Sequence, residues 1–252
     1  MAICIVSVLY VWTLYNIPIL AVGVKHLRRS RRKGGNASLL CADRCPTVSI
    51  VVPVRDEDRV VSRLLEALLR LDYPSEKRDI VIVEDGSVDK TVQICAEYAK
   101  RYPGQVRLVR QSISNGKPSA LNCLLKYARG EIIGVFDADN VPAREALMKM
   151  VKYFEEPSVA AVQGKPCSIN ADENMLTKFL SYEQEVQFEA YYRGKDVLKL
   201  FVPLNGSCQF IRREALEDAG GWDEDSLSED TELAVRLTEK GYRIKYAPDV
   251  CS

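Results

Sequence analysis

An apolar run that ends in two acids, one residue apart, constrains the fold of this chain more than any other feature. Residues 131–136 read as a strand, and Asp137 and Asp139 follow it directly. A strand this apolar is typical of the interior of a parallel sheet, where ligands bind beyond the carboxyl ends of the strands. Residues two apart in an extended chain face the same side, so both carboxylates can converge on one point.

Two converging carboxylates repel each other unless a cation lies between them. Mg²⁺ or Mn²⁺ suits this position, since each takes oxygen ligands from one or two carboxylates and from phosphate. The pair therefore indicates a metal that also holds a diphosphate. The alternative is structural: Asp139 caps the next helix, and Asp137 is an ordinary loop acid.

Strand and helix patterns alternate along most of the chain. Strands are predicted at 47–54, 79–83, 106–109, 131–136, 159–163, 209–212 and 242–246, with helical periodicity between most of them. This alternation predicts an α/β fold, a mostly parallel sheet flanked by helices. A helix at 172–193 interrupts it, and we expect an amphipathic helix that covers the sheet, with a position at a membrane interface as the alternative.

The first 24 residues carry no charged side chain, which is enough for one transmembrane helix. Six Lys or Arg follow by residue 33, whereas a secretory signal peptide would place its basic residues first. We therefore expect a membrane anchor at 1–24, a basic juxtamembrane segment and linker at 25–46, and a catalytic domain at 47–252. The positive-inside rule places that domain in the cytoplasm, on a single-pass protein of the cell membrane.

Charge and composition exclude several classes of function. After residue 33 the chain has 29 basic and 35 acidic residues, which argues against a nucleic-acid partner. His26 is the only histidine, so a Ser-His-Asp or Cys-His hydrolase is excluded. The eight cysteines lack the spacing of a zinc site, and we expect reduced thiols, as in a cytoplasmic domain.

Polar residues also follow the first two predicted strands. The first strand ends in Pro53-Val54-Arg55-Asp56-Glu57, and the second in Glu84-Asp85-Gly86-Ser87. Together with the Asp137/Asp139 pair, these segments line one sheet edge, where a nucleotide would lie. Neither the G-x-G-x-x-G pattern of dinucleotide-binding folds nor a P-loop pattern is present.

The motifs in this order resemble the family 2 glycosyltransferases with a GT-A fold. The matching strings are IVVPVRDE at 50–57, IVEDGSVDKT at 82–91, NGKPSALN at 115–122, FDADN at 136–140, LNGSCQFIRREALEDAGGWDED at 204–225, SEDTELAVRL at 228–237 and GYRIKYAPD at 241–249. The resemblance covers residues 47–250. The later strings are most similar to the membrane-bound branch, which includes cellulose, chitin, hyaluronan and poly-N-acetylglucosamine synthases and ceramide glucosyltransferases.

The resemblance implies a role for each matching residue. It assigns the nucleotide of a UDP-sugar donor to Pro53, Glu57, Asp85, Lys117 and Asp137. It implies that Asp137 and Asp139 hold Mg²⁺ or Mn²⁺ and that Asp230 is the catalytic base.

Three further residues are implied on the acceptor side: Glu229, Gly221 and Trp222. For Trp222 two interpretations remain open. Its ring can stack on a sugar, or Gly221-Trp222 can be a helix C-cap turn with a packing tryptophan.

The resemblance implies an inverting, metal-dependent transfer of sugar to a lipid or saccharide acceptor at the cytoplasmic membrane face. Two alternatives are a non-catalytic nucleotide-sugar-binding relative and a nucleotidyltransferase. One departure is serious, because the Q-x-x-R-W motif of processive members is absent. We therefore expect that the chain is truncated before that motif, with a shorter enzyme that works without it as the alternative.

Overall fold

The computed structural model describes residues 2–33, 45–111, 114–167 and 173–252. Most of the expected linker at 34–46 lies outside these residues. The chain divides into two compact units, Leu39–Pro166 with Pro203–Ser252, and Met1–Ser38 with Cys167–Val202. We call them the larger and the smaller unit.

The larger unit is built on a sheet of seven strands in the described part of the chain. The strands are β1 (Val48–Val54), β2 (Arg78–Asp85), β3 (Val106–Gln111), β4 (Ile132–Val135), β5 (Val159–Lys165), β6 (Gln209–Arg212) and β7 (Arg243–Cys251). Their order is β3-β2-β1-β4-β6-β5-β7. Strand β6 runs antiparallel to β4 and β5, and the other pairs are parallel. The prediction of a mostly parallel sheet is confirmed.

Strand β4 is short, fully buried and held in place by aromatic packing. A side chain at Gly134 would collide with the ring of Phe210 on β6, so the glycine lets that ring lie against the strand. The rings of Phe136 and Phe210 meet edge to face, with centroids 5.7 Å apart. This packing fixes the point where the chain leaves the sheet and turns into Asp137.

Helices of the larger unit cover this sheet. They are α2 (Val61–Leu69), α3 (Thr91–Arg101), α4 (Lys117–Leu125), α5 (Ala146–Lys152), α8 (Arg213–Asp218) and α9 (Glu229–Glu239). Each arises from apolar residues at helical spacing; in α2, Val61, Leu64, Leu65 and Leu68 are buried. Helix α4 begins where Gly116 adopts a φ of 87° and Pro118 occupies the first turn, a position that suits proline.

The smaller unit is helical. It contains α1 (Ala2–Lys33), α6 (Met175–Glu185), a π-helical segment (Val186–Tyr192) and α7 (Arg193–Val197). Two glycines permit close helix packing, because a side chain at Gly23 would collide with the Ala190 carbonyl and one at Gly194 with the Ile19 carbonyl. The predicted N-terminal helix is present and extends to Lys33. In the part of the chain that the structure describes, no helix is both long and apolar enough to cross a membrane.

Helix α6 differs from its sequence prediction. A helix that covers a sheet buries one face, but no residue of α6 is buried. Leu176, Phe179, Leu180 and Tyr182 are each more than half exposed. The prediction of a sheet-covering amphipathic helix is therefore wrong in this respect: the periodicity is present, but the apolar side chains face outward.

The cysteine prediction is confirmed for four residues and wrong for two. Among the described residues, Cys45, Cys95, Cys123 and Cys208 are not in disulfide bonds. Cys167 and Cys251 are disulfide-bonded. Sequence spacing gave no sign of this.

Candidate active site

The loops that follow β1 and β2 are tied together by hydrogen bonds. The Val88 amide donates to Asp56 Oδ1 (2.8 Å), and the Asp56 amide donates to Ser87 Oγ (3.1 Å). The Glu57 amide donates to Thr91 Oγ1 (2.8 Å). Asp56 adopts a φ of 54°, a left-handed conformation that aspartate tolerates better than most residues. The two polar segments therefore form one ridge at the carboxyl edge of the sheet.

Asp85 ends β2 with one satisfied and one free carboxylate oxygen. Its Oδ2 accepts a hydrogen bond from Ser114 Oγ (2.7 Å), which in turn accepts one from Arg55 Nη1 (2.9 Å). Among the described residues, nothing donates to Asp85 Oδ1, which is buried. A buried acceptor without a donor costs free energy, so this oxygen is suited to an N–H group of a ligand.

Three acids gather beyond the ends of β1 and β4. Burial raises the pKa of Glu57, and the nearby carboxylates of Asp139 and Asp137 raise it further. Asp139 is exposed, and Asn140 Nδ2 donates to its Oδ1 (3.0 Å). In the described ranges no group of three or more His, Cys, Asp or Glu residues is arranged so that it could hold a metal ion. The three carboxylates therefore place negative charge at this edge of the sheet.

Lys117 provides the positive charge at this edge. Its Nζ lies 2.7 Å from Asp137 Oδ1 and 3.3 Å from the Gly206 carbonyl oxygen. Burial lowers the pKa of Lys117, but the Asp137 carboxylate more than offsets this and the net pKa is raised. Burial also raises the pKa of Asp137, although Lys117 opposes that shift. The ammonium group is therefore held charged beside the acids.

Asp230 lies in the first turn of α9, where the helix dipole favours a carboxylate. Its side chain is buried, and Oδ1 accepts hydrogen bonds from Gln209 Nε2 (2.5 Å) and Trp222 Nε1 (3.2 Å). Burial raises the pKa of Asp230 and the Glu229 carboxylate adds to the rise, while Lys117 and Gln209 oppose it. The result is a buried carboxylate that is more basic than an ordinary aspartate.

The side chains of Asp230 and Lys117 both lie against the backbone of Gly206. The residue has a φ of 82°, and a Cβ built on it would lie 2.7 Å from Asp230 Oδ2 and 3.0 Å from Lys117 Nζ. Buried Gln163 fixes this loop, since its Nε2 donates to the Ser207 carbonyl (2.9 Å) and its Oε1 accepts from the Asn205 amide (2.9 Å). The Asp137 amide donates to Ser207 Oγ (3.1 Å), which ties the loop to the end of β4.

Trp222 does not form a sugar-stacking platform. Its side chain is 2% exposed, so neither face of the ring is open to a ligand. The contacts agree instead with the interpretation of Gly221-Trp222 as a helix C-cap turn. The Gly221 amide donates to the Leu216 carbonyl near the end of α8. Asn122 Nδ2 donates to the Trp222 carbonyl (2.8 Å), and the Trp222 amide donates to Asn122 Oδ1 (2.9 Å). Gly221 packs so tightly that a Cβ there would lie 2.7 Å from Asn122 Oδ1.

The remaining predicted residues take ordinary positions at the same edge. Pro53 is half-buried in β1, and Glu229 is half-buried at the start of α9. Sequence reasoning missed Ser114, Ser207, Gly206, Gln209 and Gln163. Gly206, Ser207 and Gln209 carried a signal, as part of the LNGSCQ string at 204–209. The glutamines are distant in sequence from the groups that they hold.

The comparison with known families agrees with this arrangement. Residues 46–251 match the family model described as "Glycosyltransferase like family 2". The chain belongs to glycosyltransferase family 2. The match includes every predicted site residue.

Two curated relatives are named as synthases of a glycolipid and of a polysaccharide. The chain is 38% identical over 194 residues to a beta-monoglucosyldiacylglycerol synthase of Nostoc sp., covering 76% of this chain and 41% of the relative. It is 30% identical over 202 residues to a poly-beta-1,6-N-acetyl-D-glucosamine synthase of Staphylococcus epidermidis, covering 80% and 48%. The chain therefore spans less than half the length of these two relatives.

Solved structures confirm the GT-A-like fold. A mannosyltransferase of Pyrobaculum calidifontis, in complex with GDP-Man and Mn²⁺, superposes with a TM-score of 0.70 at 26% identity. That match covers 93% of this chain and 65% of the mannosyltransferase chain. TarS of S. aureus in complex with UDP-GlcNAc superposes with a TM-score of 0.60 at 20% identity, covering 82% and 58%, a likeness of fold alone.

Proposed function

We propose that this protein transfers a sugar from a UDP-sugar to an acceptor hydroxyl, with inversion at the anomeric carbon. The observation that carries the proposal is the buried carboxylate of Asp230. One of its oxygens faces the same point as Lys117 Nζ, beside the acids at the end of β4. A basic carboxylate, a phosphate-binding cation and a cluster of metal-binding oxygens are the groups that this transfer needs.

The donor nucleotide fits the edge formed by β1, β2 and β4. Asp85 Oδ1 is a buried acceptor, and the uracil ring offers an N–H donor. Pro53 and Glu57 flank this position from β1 and its loop. Lys117 is a compact positive charge suited to a diphosphate. These features fit a nucleoside diphosphate whose base carries an N–H donor, and UDP is our proposal for it; the mannosyltransferase with a similar fold is described with GDP-Man.

Asp137 and Asp139 fit a divalent cation, with Mg²⁺ and Mn²⁺ as the candidates. Their side chains offer hard carboxylate oxygens, and their charges add to the rise in the pKa of nearby Glu57 that burial causes. Diphosphate oxygens of the donor would complete the coordination. A bound cation of this kind stabilises the negative charge on a departing nucleoside diphosphate.

Asp230 acts as the general base in this proposal. Its ionised Oδ2 takes the proton of the acceptor hydroxyl while that oxygen forms a bond to the anomeric carbon. The bond from the anomeric carbon to the diphosphate oxygen breaks on the opposite side, so the configuration inverts and UDP leaves. General-base catalysis contributes about 10²–10⁴-fold in rate. Half-buried Glu229 is the acceptor-side residue in this proposal, whereas buried Gly221 belongs to the C-cap turn.

A lipid or saccharide acceptor at a membrane surface is part of the proposal. The curated relatives are named as synthases of a glycolipid and of a polysaccharide. Within the smaller unit, aromatic and aliphatic side chains of α1 and α6 line an open apolar groove of about 810 Å³. Exposed Lys25, Arg28, Arg29 and Arg31 follow on α1, which suits an anionic lipid surface. The cytoplasmic side stays a prediction from this basic run.

Asp230→Asn tests the function. The variant keeps the shape and an acceptor oxygen but cannot take a proton, so we expect transfer from UDP-sugar to fall at least 10²-fold. Affinity for UDP and the melting temperature should stay within error of the unchanged protein. Transfer within a few-fold of wild type would refute Asp230 as the base. Binding without turnover in the unchanged protein would favour a non-catalytic relative, and release of pyrophosphate would favour a nucleotidyltransferase.

A further inference from the structure

Side chains from two other parts of the fold donate hydrogen bonds to one oxygen of Asp230. Gln209 lies on β6 and Trp222 follows α8, whereas Asp230 lies in the first turn of α9. The amide of Gln209 and the indole of Trp222 both donate to Oδ1, and neither donates to Oδ2 in the described contacts. The two oxygens of the carboxylate are therefore in different environments: Oδ1 is saturated inside the protein, and Oδ2 faces Gly206 and Lys117.

Both donors are rigid. Gln209 and Trp222 are 0% and 2% exposed, so packing restricts their side-chain rotation. Gln209 is paired with Val135 on β4 and with Gln163 on β5, which fixes its backbone. The turn that carries Trp222 is bound to α9 itself, because Arg236 Nη2 donates to the Gly221 carbonyl (2.8 Å).

We propose that Gln209 and Trp222 are positioning residues that hold Asp230 Oδ1, so that Oδ2 points toward the acceptor hydroxyl. This inference rests on the proposed role of Asp230 as the base. Without the two donors, the carboxylate is free to rotate toward Lys117, the nearest cation, and an ion pair there would occupy the oxygen that must take the proton. The buried amide and indole therefore keep the base apart from the phosphate-binding lysine.

Two substitutions remove one donor each and keep most of the side chain. Trp222→Phe deletes the indole N–H and keeps an aromatic ring, and Gln209→Met deletes the amide at similar length. We expect each to lower kcat about tenfold, the loss of one hydrogen bond to a charged group, with KM for the UDP-sugar unchanged. The matched controls are Tyr73→Phe, which deletes a buried aromatic donor to the Pro46 carbonyl, and Gln105→Met, just before the edge strand β3; both should keep wild-type kcat.

A double substitution separates positioning from a general structural role. In Asp230→Asn, which has no base to orient, adding Trp222→Phe should not lower the residual rate further. A second tenfold loss in that background would show that Trp222 supports the fold rather than the base. A kcat within twofold of wild type for both Trp222→Phe and Gln209→Met would also overturn the proposal.

The indole hydrogen bond has a readout that does not depend on activity. The chain has two tryptophans, so an indole ¹⁵N–¹H spectrum contains two signals, assigned with the two Trp→Phe variants. Asp230→Ala should shift the Trp222 signal and leave that of Trp12 in place. An unmoved Trp222 signal would refute the contact. A shifted signal together with full transfer by Asp230→Asn would instead refute the proposed base while leaving the contact intact.

Discussion

Gly206 is the residue at which the backbone of the site leaves no space for a side chain. We expect Gly206→Ala to abolish transfer, because the new methyl group would lie between Asp230 Oδ2 and Lys117 Nζ. The positive φ adds strain of about 1 kcal/mol, which should lower the melting temperature slightly.

Gly104→Ala is the matched control for this substitution. Gly104 has a φ of 90°, and a Cβ there meets nothing within 4 Å. The two variants carry similar backbone strain, so Gly104→Ala should lose a little melting temperature and keep transfer. Gly206→Ala should lose transfer and, because its methyl group also collides with Asp230, at least as much melting temperature. Equal activity of the two variants would contradict the crowding at Gly206.

Asp139 provides the test of metal binding. Asp139→Ala should abolish the UDP binding that depends on Mn²⁺ or Mg²⁺, as measured by calorimetry with and without a chelator. The fold should survive, because the side chain is exposed beyond the end of β4. Glu97→Ala, which removes an exposed acid on α3, is the control and should bind normally. Unchanged metal-dependent affinity in Asp139→Ala would rule out this residue as a ligand.

The sequence alone predicted the site residues whose roles are indicated by short motifs. Lys117, Asp137 and Asp230 were predicted from separate strings, and the structure brings their side chains together around Gly206. The sequence did not assign the contacts of Ser114 or Gln209. Ser114 is an ordinary loop residue until the fold places it beside Asp85, and Gln209 lies 21 residues from the carboxylate it contacts. Such roles depend on tertiary proximity, which no local pattern encodes.

At the scale of elements, the strands followed their patterns closely. Strand β6 was predicted at 209–212 and occupies Gln209–Arg212. Its antiparallel direction was not predicted, because apolar alternation carries no information on strand direction. The periodicity of α6 likewise showed an apolar face but not what that face contacts. Pairing and contact partners are set by the whole sheet and by packing, so these features had to come from the structure.

The apolar face of α6 leads to a prediction at this scale. Phe179 and Leu180 are exposed, and burial of such side chains contributes about 2 kcal/mol each. The double substitution Phe179→Glu with Leu180→Glu should therefore strongly reduce co-sedimentation with phospholipid vesicles. Val88→Glu changes an equally apolar residue, 93% exposed in the larger unit, and should leave vesicle binding unchanged. Equal binding by all three proteins would argue against α6 as a lipid contact.

At the scale of the whole molecule, charge is distributed unevenly along a chain with a net charge of zero. Residues 1–33 contain six basic residues and no acid, and the remainder has six more acids than bases. An anionic surface should attract the first segment and repel the rest. At ordinary salt these interactions act over only about 8–10 Å, so the segment nearest the surface dominates. A neutral chain can therefore bind anionic lipid in one orientation.

Neutralising part of α1 tests whether the position of the charge matters. Arg28, Arg29 and Arg31 are exposed, and each basic residue near an anionic bilayer contributes about 1 kcal/mol. Changing all three to Gln should weaken binding to vesicles that contain an anionic phospholipid, with little effect on zwitterionic vesicles. High salt should reduce wild-type binding to the level of this variant. Changing the exposed Lys90, Lys100 and Lys126 to Gln removes the same net charge from the larger unit. If that control lost as much binding as the α1 variant, net charge rather than the basic segment would govern the interaction.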